Sequence, residues 1–163
     1  MLQVMFQTLP KTAEEFISMP EFGFTTPFQV AALFIAAICA YPENRDECYN
    51  MIDALKGPQK LSVMEKQFIR DRMMGKAGYI GKAYFTGATP ENNYTPDRPY
   101  TVVVEEDPYT YAEAGYAKVF IRTSGADSPR PVKLRKKEEQ WFLWEHAGLL
   151  SDIRRPRAQD PWA

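Results

Sequence analysis

The chain has 163 residues, of which 45 % are hydrophobic, 25 % charged and 13 % aromatic, and its formal net charge is -1 with a pI near 5.9. A chain this long buries about two-thirds of its unfolded surface in one core, so residues 1–163 read as a single domain. A charge balance this close to neutral argues against general affinity for nucleic acid or for an anionic membrane.

Two cysteines, Cys39 and Cys48, cannot form a disulfide framework, and with one histidine, His146, they fit no zinc pattern. They read as small core residues in a reducing compartment, and neither a metal site nor a cofactor is expected. Met1 to Phe6 has no basic segment and no small-residue cleavage site after it, so no secretory signal is expected. The longest apolar run, Val30 to Ala40, is shorter than the roughly 20 residues of a membrane span. A cytoplasmic location follows as the expectation.

In chain order, Thr12-Ala13-Glu14-Glu15 has the spacing of a capping box and predicts a short helix over 13–18, with Phe16 and Ile17 on its buried side. Pro20 stops it, and Phe22-Gly23-Phe24 makes an extended link. Thr26-Pro27 is a second start signal. The segment 27–40 is apolar on every side and predicts a central helix buried by several neighbours. Pro42 opens a third helix over 43–55, with Cys48, Met51, Ile52 and Leu55 spaced along one face. Gly57-Pro58 ends it. Ser62 and Glu65 repeat the capping spacing and start a fourth helix through Met74, with Met64, Phe68 and Met73 facing inwards. Gly75 and Gly78 break the pattern.

From Tyr79 to Pro99 the chain predicts a long irregular connection, and a loop of that length is either functional or packed down by its own side chains. Tyr84, Phe85 and Tyr94 can do that packing. Asn92 and Asn93 tolerate left-handed backbone and suit a structural turn. The same polar groups, with Tyr94, are candidates for ligand contact.

Tyr100 to Glu105 is β-branched and predicts a strand. Residues 117–123 alternate, placing Ala117, Val119 and Ile121 on one face and Lys118, Phe120 and Arg122 on the other. Arg130 to Glu145 has the pattern of a β-hairpin. A two-residue turn there puts Val132, Leu134, Trp141 and Leu143 on one face, whereas a three-residue turn joins Val132 and Leu134 to Phe142 and Trp144 instead. No glycine or asparagine decides between them. His146 then reads as a surface or strand-end residue rather than a catalyst. Leu149, Leu150, Ile153 and Trp162 read as anchors of the tail. The fold class is therefore α+β, with about four N-terminal helices packed on a C-terminal antiparallel sheet of about four strands.

No nucleophile motif, glycine-rich phosphate loop or cysteine–histidine pairing is present, so no catalytic residue is assigned. If Arg122, Lys133 and Arg135 share the polar face of the sheet, three cations line adjacent strands beside an aromatic, a surface suited to a carboxylate or phosphate. The alternative is an ordinary solvated face, with Glu105 and nearby carboxylates neutralising the cations.

The peptides Gly87-Ala88-Thr89-Pro90-Glu91-Asn92-Asn93-Tyr94-Thr95-Pro96, Phe120 to Pro129, Leu134 to Lys137 with Trp141-Phe142-Leu143-Trp144, Leu149 to Arg154 and Asp160-Pro161-Trp162-Ala163 resemble those of an uncharacterised family of bacterial proteins of unknown function. That resemblance implies a stand-alone bacterial domain and brings no activity, cofactor or catalytic residue. The leading expectation is a non-enzymatic domain that binds a small anionic ligand or a protein partner. The alternative is a small-molecule enzyme or sensor with a pocket between the 86–99 loop and the sheet, using Asn92, Asn93, Tyr94 and Arg122.

Overall fold

The computed structural model describes all residues 1–163. The α+β class holds, with five strands in one antiparallel sheet in the order β1-β2-β3-β4-β5. Four strands are those expected: β2 (Tyr100–Glu105), β3 (Tyr116–Ile121), β4 (Arg130–Lys137) and β5 (Gln140–Glu145). The fifth, β1 (Leu2–Phe6), precedes the helices and pairs with β2 from Leu2↔Val104 to Phe6↔Tyr100. Sequence pattern missed it because Met5 interrupts the alternation of Leu2, Val4 and Phe6, which left no clean period of two.

Four helices pack on this sheet. In α1 (Ala13–Ile17) the Thr12 hydroxyl accepts from the Glu15 N–H at 3.1 Å, but the Glu15 carboxylate reaches the Lys11 N–H (2.9 Å) rather than closing the box on Thr12. Phe16 is buried, whereas Ile17 is exposed, contrary to expectation, because so short a helix turns only one side to the core. α2 (Pro27–Ile38) is the central helix and touches all five strands. Every residue from Val30 to Ile38 is buried, which is why the segment has no polar face. α3 (Arg45–Leu55) begins after Asn44, whose side chain caps the Glu47 N–H at 3.1 Å, and so later than Pro42 suggested. Its Cys48, Met51, Ile52 and Leu55 are buried as the spacing required. α4 (Val63–Met73) carries the full reciprocal capping box between Ser62 and Glu65. Ile69 and Met73 make its buried side, with Phe68 partly packed. Met64 is 82 % exposed instead of inward, since the first turn of α4 stands clear of the core.

The hairpin register is settled by a two-residue turn at Glu138 and Glu139, with Lys137 opposite Gln140 and Glu138 at a φ of 58°. Trp141 therefore lies on the core face with Val132, Leu134 and Leu143, and Trp144 on the outward face. Both tryptophans remain half-buried. Past Leu134↔Leu143 the pairing shifts, so that Lys133 faces Glu145 and Trp144 becomes the extra residue of a β-bulge. A bulge re-aims the side chains beyond it. Here it turns His146 inward, where the ring stacks on Phe34 at 5.0 Å and is 5 % exposed. His146 thus stands at the strand end, as one expectation had it, but is buried rather than on the surface.

The 79–99 connection is held down by its own aromatics, as its composition suggested. Tyr84, Phe85 and Tyr94 are all buried. The Tyr84 hydroxyl donates to the Leu149 carbonyl at 2.5 Å and the Tyr94 hydroxyl to the Arg154 carbonyl at 2.7 Å. Leu149, Leu150 and Ile153 are buried anchors, but Trp162 is 91 % exposed. The tail is instead fixed by backbone bonds, Arg154 N–H to Gly125 (2.9 Å) and Arg157 N–H to Pro90 (2.8 Å). No helix is long and apolar enough to cross a membrane.

Candidate functional site

The asparagines of the long loop serve its backbone. Asn92 Oδ1 accepts from the Thr89 and Thr95 N–H groups at 2.9 and 3.0 Å, while its amide donates to the Gly87 carbonyl at 2.8 Å. Asn93, at a φ of 56°, accepts from the Ala158 N–H at 2.7 Å. Tyr94 is fully buried, and its ring stacks on Tyr79.

A cleft of about 440 Å³ does open between this connection and the sheet. It forms because β2 pairs with β3 only at Val104↔Ile121 and Glu105↔Phe120. Further along, Phe85 bridges Val102 and the Thr86 N–H donates to the Thr101 carbonyl, so two segments diverge from one strand edge. Arg122 lines the cleft, whereas Asn92, Asn93 and Tyr94 do not. The polar groups there are largely engaged: Arg122 with Glu105 at 2.5 Å, Thr123 with the Ala83 carbonyl at 2.7 Å, Ser124 with the Ala88 carbonyl at 2.5 Å and Asp127 with Arg154.

Arg122, Lys133 and Arg135 share the outward face, as the alternation implied, but they do not form one cluster. Arg122 follows Ile121, opposite Arg130, whereas Arg135 faces Tyr116. Six residues of strand separate them, roughly 20 Å. Lys133 is bound to Glu113 at 2.5 Å, which raises its pKa, and its ammonium lies 4.7 Å from the centre of the Tyr116 ring. Arg135 lies between two aromatics, 4.6 Å from the Trp144 ring and 5.6 Å from Tyr116.

Arg135 belongs to a second cavity, of about 260 Å³, at the tip of the β4–β5 hairpin. Lys56, Pro58 and Gln59, which follow α3, form its opposite side. The hairpin contributes Arg135, Lys136, Lys137, Phe142, Leu143 and Trp144. By register Arg135, Lys137, Phe142 and Trp144 point to one face. Lys136 turns to the other, 5.8 Å from the Trp141 ring and 3.9 Å from Glu139. No carboxylate lines the cavity.

Behind it lies a buried ionic cluster. The Lys56 side chain is 4 % exposed, and its ammonium donates to Glu65 Oε2 at 3.1 Å. His146 Nε2 approaches the same oxygen at 3.6 Å, and neither imidazole nitrogen makes a hydrogen bond. Glu65 Oε1 accepts from the Ser62 N–H at 3.0 Å. The neighbouring His146, the Ser62 N–H and Lys56 together hold the Glu65 carboxyl down at about 2, against desolvation, which pushes the other way.

A family model described as a domain of unknown function, DUF6935, matches residues 8–157. The chain belongs to the DUF6935 family. No curated protein and no solved structure matches it. The residues that shape the hairpin cavity in this DUF6935 domain divide by how readable they were. Arg135 stood out as a cation on an alternating strand. Lys56 did not, because its role depends on the turn at Gly57, which brings it to Glu65 and the hairpin. Glu65 was visible only as a helix cap, and no local pattern marks the bulge that delivers Trp144 and His146.

Proposed function

We propose that this domain is a non-enzymatic binding module for small organic anions, and that the ligand sits in the hairpin-tip cavity. The observation that carries this reading is the charge of the lining: Arg135 and Lys137, neither with a carboxylate partner, stand at a cavity without a single carboxylate in its wall, in a chain whose net charge is -1. Cations left without counter-charges in a concave, partly apolar setting attract and hold anions more strongly than the same groups on an open face. The 84–89 and 122–129 cleft is larger, but Arg122 there already has a carboxylate partner. Free thiols at Cys39 and Cys48 support a cytoplasmic setting for this function.

Inorganic phosphate titrated into the full chain tests the proposal. A saturable rise in the thermal midpoint is expected. The rise should disappear in Arg135→Gln/Lys137→Gln and persist in Lys118→Gln, a cation of the same sheet outside the cavity. An equal response from the double variant and the wild type would place the anion elsewhere and refute the assignment.

A further inference from the structure

Two aromatic rings, Phe142 and Trp144, line the hairpin cavity, and both are fixed in place by packing. Phe142 lies against Phe24, with ring centres 5.0 Å apart, and against Gly57, where a Cβ would come within 2.8 Å of the ring. Trp144 is held by the Arg135 guanidinium at 4.6 Å and the edge of Tyr116 at 6.0 Å. Both are half-buried and line the cavity, with Pro58 across from them. Rings held in this way keep an apolar surface in contact with water at no conformational cost to a ligand that covers it.

The charges can be counted in the same way. Lys56 is neutralised by Glu65, Lys136 has Glu139, and Lys133, beyond the cavity, has Glu113. Arg135 and Lys137 have no carboxylate partner and share one face of β4. Two open positive charges match a dianion better than a single carboxylate, and a phosphate monoester carries about -1.5 to -2 at neutral pH. The Arg135 fork also suits two phosphate oxygens at once. A cavity of about 260 Å³ is below the usual span of drug-sized pockets, roughly 300–1,000 Å³.

We infer that the ligand of this cavity is a phosphate monoester bearing one flat ring, with the phosphate at Arg135 and Lys137 and the ring against Phe142 and Trp144. This rests on the reading of the cavity as an anion site and narrows it to a chemical class.

Calorimetric titration of the full chain with phenyl phosphate, glycerol 3-phosphate and benzoate tests it. Phenyl phosphate should bind about tenfold more tightly than glycerol 3-phosphate, since two ring contacts worth about threefold each together give about one order of magnitude, and more tightly than benzoate, which has the ring but only one negative charge. Trp144→Leu should bring phenyl phosphate close to glycerol 3-phosphate by weakening the former more than the latter. Lys137→Gln, an exposed change near the turn, should weaken both phosphates and spare benzoate. Glycerol 3-phosphate binding as tightly as phenyl phosphate would overturn the ring while leaving the anion site intact. Benzoate matching phenyl phosphate would overturn the phosphate. If none of the three binds below about 10 mM, the inference and the anion reading both fall.

Discussion

Replacing Glu65 by glutamine tests the electrostatics beneath the cavity. The substitution keeps the side chain's size and removes the charge that faces the buried Lys56 ammonium. Breaking a buried ion pair on one side typically costs about 3–5 kcal/mol, because the remaining charge is left without a partner. Glu65 is itself 32 % exposed, so water reaches part of the cluster. The depression of its carboxyl from 4.5 to about 2 corresponds at face value to about 3 kcal/mol, which solvent screening reduces to about 1–2 kcal/mol. A folded-state value below the unfolded one means the contribution is complete above about pH 4.5 and is lost as pH falls towards about 2.

Urea denaturation of wild type and Glu65→Gln at several pH values measures this directly. The stability gap should be about 1–2 kcal/mol at neutral pH and should close as the wild-type carboxylate takes up its proton. Adding Lys56→Met to Glu65→Gln should recover part of the loss, since a buried pair replaced on both sides by uncharged groups is often tolerated. A gap that stays constant from neutral pH to about pH 2 would show that the charge of Glu65 contributes nothing and would sink the argument.

Three further outcomes follow from the geometry. Gly57→Ala should destabilise the domain by about 1–3 kcal/mol, because Gly57 has a φ of 65° and a Cβ there would press on the Phe142 ring; a neutral result in thermal unfolding would contradict that contact. Asn92→Ala removes the bonds to Thr89, Thr95 and Gly87, and should cost about 1–3 kcal/mol while making the 86–99 loop the first site of limited proteolysis. The Cys48 thiol is buried and pushed above its usual pKa by desolvation, so it should react with an aromatic disulfide reagent only after unfolding; labelling of Cys48 in the native protein would count against its place in the core.

What could be read from the sequence was whatever local chemistry decides. The Ser62–Glu65 cap, the apolar α2 and the alternation of β3 each follow from neighbours a few residues apart, and the structure keeps all three. Met64 and Ile17 were misplaced because their burial depends on where each short helix meets the rest of the molecule. β1 was lost because its place is set by the open edge of β2, nearly a hundred residues away in sequence. The candidate site divides along the same line. Arg135 was marked by alternation, whereas its partners across the cavity come from the turn after α3 and from the far side of a bulge.

That bulge links the two halves of the site. Without the extra residue at Trp144, strict alternation past Leu143 would turn Glu145 towards the core and His146 outwards. With it, Trp144 and Glu145 both follow the outward face, and His146 reaches Phe34 and the oxygen it shares with Lys56. One irregularity in the pairing thus places an aromatic wall at the cavity and a titratable ring against the carboxylate that neutralises the cavity's buried lysine. A substitution that removed the bulge would therefore alter the cavity's aromatic wall and its buried charge together. Separate losses of ring binding and of the Glu65 contribution are the expected result only for changes at Trp144 or Glu65 that leave the register in place.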